Sequence, residues 1–512
     1  MMHLTLSCAL AHALCITIHG ANEPPFAAAA VVTATTRPAL MDWEQEFRAQ
    51  LDQAGATYVT GLEQLADWCH SNEAYAERNL ALESILHYDP AHAKARKSLR
   101  YRLDRKVNEW IRRSNYRQPK GGTAADRAIY QERREALDRA LSDAAIDAIE
   151  EHEENLGPAR TYGELRDLSA VAPTDPRLLR RLGYVEQAAE GEAATWVTAL
   201  ALETPGRRAK LAEWLATARE EASAIEEADL DDVDRQIKLD WKHRLRSGRI
   251  RLIGRASQEE SQQALRAGAT AASFMTQLVG EKPGADYAWT IYVLDNQFDM
   301  NRFVGSYPGL DENQRRRART LGSLWLPGKT RCGVWGPDQE TRVDMSCKQV
   351  AVRFVDTQFG VKPKRGWLVD SLGLYINQNV VGTRISRHVT MTEYVKPGEV
   401  PLTQGLEDPD ADWLAIAARV LGVLTDKDFA RALGRNTNEM TPEDVVVGYA
   451  LVAFLCEAAG PESLQFVLKQ VGSGASSSVV ALETWFKMPI AEIKLRLRAW
   501  LQDAPAAVPP AK

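Results

Sequence analysis

From Met41 to about Arg105 the apolar positions recur every three to four residues. In "GLEQLADWCHSNEAYAERNLALESILHYDP" they fall at Leu62, Leu65, Ala66 and Cys69, then at Ala81, Leu82, Ile85 and Leu86, the spacing of one buried helical face. Asp89-Pro90 breaks the second helix, and Ala91, Ala95 and Leu99 continue the pattern in a third. A shorter echo, "TDPRLLRRLGY" from Thr174 to Tyr184, keeps the Asp-Pro, Leu, Tyr layout of "YDPAHAKARKSLRY". The two Asp-Pro pairs lie 86 residues apart (175 against 89). That is no clean multiple of a tetratricopeptide period of about 34 residues, so a few helical hairpins are predicted rather than a regular solenoid. "QPKGG" (118–122) and "LGPARTYG" (156–163) read as loops.

At Gly248 the period changes. "RIRLIGRA" and "YAWTIYVLD" have the character of strands, separated by a helix capped near Ser257 and followed by helical "NQFDMNRFVGSY". From Asp410 to Asp503 helical spacing returns, with Thr441 as an N-cap and Pro442 at the first helical position of "TPEDVVVGYALVAFLCEAAG". Its apolar run, Val445 to Cys456, falls short of the roughly 18 residues of a membrane span and reads as a buried helix. The predicted fold is α+β and mostly helical. A leader and linker (1–40) precede helical, repeat-like hairpins (41–245) and an α+β core with a small sheet (248–400). A helical part (401–503) and a disordered tail (504–512) follow.

Charge and cysteine content narrow the function classes. A net charge of −6 and a pI near 6 remove any bulk electrostatic case for nucleic acid or an anionic membrane. The basic stretch Ser98–Lys120, with Tyr101, Trp110 and Tyr116 interleaved, reads as a solvated helix face balanced by the acidic "EEHEE" (150–154). Residues 4–18 form an apolar run of signal-peptide length followed by small residues, so export is expected. Four cysteines lie beyond it: Cys69, Cys332, Cys347 and Cys456. In an oxidising compartment Cys332 and Cys347 are candidates for a disulfide.

The candidate chemistry lies in "CKQVAVRFVDTQFG" and the following "WLVDSLGLY", Trp367 to Tyr375. These segments, with the strand-helix-strand lead-in, resemble the peptidase MA-like, gluzincin-type domains that follow tetratricopeptide-like helices; the resemblance covers roughly 249–501. Such a domain implies an HExxH helix, whose two histidines one turn apart hold zinc beside a general-base glutamate, and a third-ligand glutamate on the next helix. Counting outward from "WLVDSLGLY", Arg353 falls at the first histidine and Phe354 at the glutamate. Thr357 falls at the second histidine and Asp370 at the third ligand. Independently of that count, none of the nine histidines lies between His243 and His388.

The expectation is therefore a pseudo-peptidase without catalytic, metal or cofactor residues, binding a protein or peptide partner or acting as a scaffold. Arg353 is predicted to hold the helices together in the metal's stead, paired with Asp356 on its own helix and with Asp370 across. The competing expectation is a hydrolase that uses Asp356 and Asp370 without zinc.

Overall fold

The structure, a computed structural model, describes residues 42–104, 109–112, 119–169, 171–187, 195–280, 288–319, 321–326, 330–386 and 402–503. The expected leader, His388 and the expected tail lie outside them. Apart from the first turns of α1, everything below belongs to one compact unit, Gln50–Lys512.

The N-terminal hairpins are two copies of one larger unit. In the first, α1 (Asp42–Ser71) is followed by α2 (Tyr75–Tyr88), with the rings of Tyr58 and Tyr88 5.1 Å apart. The six-residue α3 (Ala93–Ser98) leads into an antiparallel ribbon of β1 (Tyr101–Asp104) and β2 (Glu109–Arg112). In the second, α4 (Ala124–Glu151), α5 (Glu153–Ser169) and α6 (Pro176–Arg181) precede the ribbon of β3 (Tyr184–Gln187) and β4 (Thr195–Thr198). Leu99 and Leu182 close the short helices, and the next residue, Arg100 or Gly183, turns the chain with φ of 60° or 83°. Trp110 and Trp196 each face the third residue of the preceding strand, Leu103 and Glu186. An arginine of the short helix covers each indole, Arg96 at 4.4 Å and Arg180 at 5.7 Å.

Two expectations change here. Within Ser98–Lys120 residues 101–104 and 109–112 form a ribbon, because the left-handed Arg100 ends α3 and the alternation of Tyr101 and Leu103 suits a strand. The loop expected at 156–163 is a kink inside α5: only Gly157 leaves helical geometry, at φ 70°.

The α+β core begins earlier than 248. Helix α7 (Ala199–Glu221) packs along the later α9, and the first strand is β5 (Glu226–Glu227). After α8 (Asp232–Gln236) come β6 (His243–Ser247), β7 (Ile250–Gly254), α9 (Gln258–Val279) and β8 (Trp289–Val293). Then follow α10 (Gln297–Ser306), α11 (Glu312–Ala318), β9 (Ser323–Trp325) and β10 (Arg331–Val334). The strands order as β5-β6-β7-β8-β10-β9, parallel from β7 through β8 to β10 and antiparallel at both edges. Helix α9 lies against this sheet together with α12 (Gln339–Phe359). A Cβ at Gly268 of α9 would come within 2.9 Å of Ile291 and 3.3 Å of Val350, so glycine permits this three-way approach. A second core, with Tyr292, Phe303 and Tyr307 among its members, joins β8 to α10.

After α12, a π-helical turn (Trp367–Ser371) runs into α13 (Leu372–Val380). The remaining helices are α14 (Leu402–Glu407), α15 (Trp413–Val423), α16 (Asp426–Ala432), α17 (Pro442–Glu457), α18 (Pro461–Gly472), α19 (Ser478–Phe486) and α20 (Ile490–Asp503). Val445 to Cys456 of α17 is buried throughout. Among the described residues no helix is long and apolar enough to cross a membrane. Arg208 of α7 reaches Glu457 of α17 at 2.8 Å, and Tyr162 of α5 donates to Glu492 of α20 at 2.7 Å.

Candidate functional site

Helix α12 starts where the Asp338 carboxylate accepts from Thr341 N at 2.7 Å and ends at Gly360, whose φ of 73° suits only glycine well. Between these caps it is buried on nearly every side. Polar side chains on such a helix must find partners, because desolvation without compensation costs several kcal/mol. They do so in three directions.

Toward α9, Arg342 grips Glu260 with two nitrogens, one at 3.0 Å, and donates to Gly336 O at 2.9 Å. Toward α13 lie Asp344 and Lys348, one helical turn apart. The Lys348 ammonium donates to Asp370 Oδ1 on the π-helical turn and to the Ser386 carbonyl. Asp344 accepts from Ser386 N at 2.8 Å, Ile385 N at 3.2 Å and the Thr383 hydroxyl at 2.6 Å. Asn377 of α13 completes the cluster, donating to Asp344 O at 3.1 Å and Ser386 Oγ at 3.3 Å. Residues 383–386 are thus strapped across the two helices, and Asp344, Lys348 and Asp370 are 0%, 2% and 0% exposed.

The local backbone serves this arrangement. A Cβ at Gly373 would lie 2.8 Å from Lys348 Cγ, so the lysine stem runs where only glycine leaves room. The π-helical turn carrying Asp370 is anchored by Trp367 Nε1 donating to Ser478 Oγ at 3.0 Å and Ser371 Oγ donating to Val445 O at 3.1 Å.

In the third direction, toward the sheet, the Arg353 guanidinium lies 5.4 Å from the Trp289 ring and 4.6 Å from the Trp325 ring. It pairs with Asp356 Oδ2 at 2.5 Å, while Lys362 takes Asp356 Oδ1 at 2.6 Å. Phe354 is wholly buried. Thr357 is exposed, and its hydroxyl turns back to Arg353 O at 2.7 Å.

Of the residues singled out from sequence, Arg353 and Asp356 therefore come together, and the cation on Asp370 is Lys348. Lys348 stands five residues before Arg353, about 140° round the helix, so the two cations serve different faces. The positions one turn apart that converge on the surroundings of Asp370 are Asp344 and Lys348, nine residues before Arg353 and Thr357 (353 against 344, 357 against 348).

The disulfide expected between Cys332 and Cys347 is not formed: both thiols are free and fully buried. Cys332 lies on β10 at the sheet, within the influence of Arg353, whereas Cys347 lies six residues before Arg353 on α12, about 120° round the helix and beside Asp344. Burial pushes the Cys332 thiol up to about 12, with Arg353 pulling the other way. A further ionisable group near Tyr375 is Glu457 of α17, which is partly buried. Desolvation raises its pKa against the opposing effects of Arg208 at 2.8 Å and Tyr375, which donates to it at 3.2 Å.

No protein-family model and no curated protein matches the chain. The zinc that a gluzincin-type resemblance implies does not fit the residues present. A protonated lysine has no lone pair to offer a metal, and its ammonium already occupies Asp370 Oδ1. Among the described residues no group of three or more His, Cys, Asp or Glu side chains is arranged to hold a metal ion.

Proposed function

We propose that this chain is a non-catalytic, exported pseudo-peptidase that serves as a protein- or peptide-binding or scaffolding module. The observation that carries the reading is the Lys348–Asp370 pair. If "WLVDSLGLY" is the third-ligand helix of a gluzincin-like scaffold, Asp344 and Lys348 stand at the two histidine positions. Met345 then stands at the general-base glutamate, and a thioether cannot accept a proton from water. The lysine charge stabilises the acidic third position in place of a metal ion, and the strap at 383–386 fills the space over it.

The hydrolase alternative loses ground on the same geometry. Asp356 is engaged on both oxygens by Arg353 and Lys362, and Asp370 is buried against Lys348. Neither carboxylate is presented to a substrate.

Metal analysis of the purified chain, together with turnover of casein and of a mixed peptide library, tests the reading. The expected result is no stoichiometric zinc and no cleavage above a heat-inactivated control. Zinc near one equivalent, or cleavage lost on Asp370→Asn substitution, overturns it.

A further inference from the structure

Where the two duplicated units meet, α1, α2, α4 and α5 enclose an open groove of about 590 Å³, within the range of ligand sites, roughly 300–1,000 Å³. Leu51 and Val59 of α1, Leu141 and Ile149 of α4, Leu168 of α5 and Val171 just after it give it apolar walls. Ala54, Gly55 and Ala145 leave room for another main chain to approach.

Its charged lining is of one sign. Asp52, Asp89, Glu164 and Asp167 border the groove, and no lysine or arginine does. Asp167 and Glu164 meet Arg166 and Arg160 of their own helix at 3.1 and 3.7 Å, exposed contacts that solvent screens. The asymmetry selects an occupant: apolar side chains for the walls, cations for the rim.

We propose that this groove binds a short segment of another protein whose apolar residues are flanked by lysine or arginine. The proposal rests on the peptide-binding reading above and gives it a place and a ligand chemistry.

A random-peptide phage library panned on the full chain tests it, with enriched peptides synthesised and their affinities measured by fluorescence anisotropy at low and high salt. The comparison variants are Asp52→Lys/Asp167→Lys and Ala56→Trp. All three positions are exposed, so the fold is kept, as circular dichroism can verify. The expected result is enrichment of peptides combining apolar and basic residues, with affinity about tenfold weaker in either variant and weaker at high salt. Enriched peptides without basic residues, or binding that both variants leave unchanged, overturn the groove assignment while leaving the peptide-binding reading in place. No enrichment at all overturns the peptide-binding reading and the groove with it.

Discussion

Lys348 and Asp370, 22 residues apart in sequence, meet as an ion pair in the interior between α12 and the π-helical turn. Each is nearly inaccessible to water, so the pair is sensitive to loss of one member and tolerant of loss of both. Lys348→Met leaves the Asp370 carboxylate without this ammonium and is expected to cost about 3–5 kcal/mol in urea unfolding. Lys348→Met/Asp370→Leu is expected to recover most of that loss. A double variant no more stable than the single one contradicts the pairing.

If Asp344 and Lys348 hold the two positions of a former metal site, histidines placed there should restore binding. Asp344→His/Lys348→His, with Asp370 retained, is expected to take up about one equivalent of zinc by calorimetry, since two imidazoles one turn apart and a facing carboxylate form a three-ligand set. The same exchange at Arg353 and Thr357 is expected to bind none, because Arg353 faces the sheet and Thr357 is exposed.

Arg353 is held by two indoles and one carboxylate. Arg353→Met keeps much of the side-chain volume and leaves Asp356 with Lys362, so the expected loss is about 1–2 kcal/mol, the scale of a desolvated cation–π contact. Tryptophan fluorescence should shift with it, because Trp289 and Trp325 flank the guanidinium. An unchanged emission spectrum argues against the stacking.

Gly373 tests the packing of the lysine stem. Gly373→Ala would place a methyl group 2.8 Å from Lys348 Cγ, and overpacking of this kind costs about 1–3 kcal/mol. Lys348→Met in the Gly373→Ala background should show a smaller further loss than alone, because a displaced lysine no longer reaches Asp370 well.

Two carboxylates give the stability opposite pH dependences. Burial raises the Glu457 pKa in the folded state, so the neutral acid is favoured there. Its contribution is complete below the unfolded pKa and is lost as pH rises through the folded one. Glu457→Gln should therefore gain stability relative to the parent as pH rises through that window. Burial also pushes Asp231 up, but hydrogen bonds from Arg331 and Arg251, at 2.7 Å each, and from a backbone amide hold it well below the carboxylate range. Its contribution is present above the unfolded pKa and disappears as pH falls toward the folded one, so Asp231→Asn should flatten the acid limb. Denaturation curves measured across pH distinguish the two signs.

The helices with strong apolar periodicity were legible from sequence. Leu62, Leu65, Ala66, Cys69, Ala81, Leu82 and Ile85 are all buried, and Ser257 and Thr441 cap α9 and α17. Strand β6 was not legible, because "HRLRS" at the sheet's margin puts charges at every other position and carries little hydrophobic signal. The ribbons were hidden by their length, four residues per strand, although the repeated Asp-Pro, Leu, Tyr layout was a usable signal of the duplication.

Asp370 could be singled out because the apolar and aromatic frame from Trp367 to Tyr375 marks its helix. Lys348 could not, because a lysine in sequence reads as a surface residue and becomes a core partner only where a carboxylate awaits it.

The amino-acid sequence by itself determined the positions of most helices and core strands, their principal caps and the absence of histidine around the candidate site. These depend on neighbouring residues and on the periods of helix and strand. Tertiary structure alone decided that Lys348 meets Asp370, that Arg353 lies over the Trp289 and Trp325 rings, and that residues 383–386 close over the site. Such pairings join residues distant in the chain, and helix packing chooses which face of α12 each side chain meets.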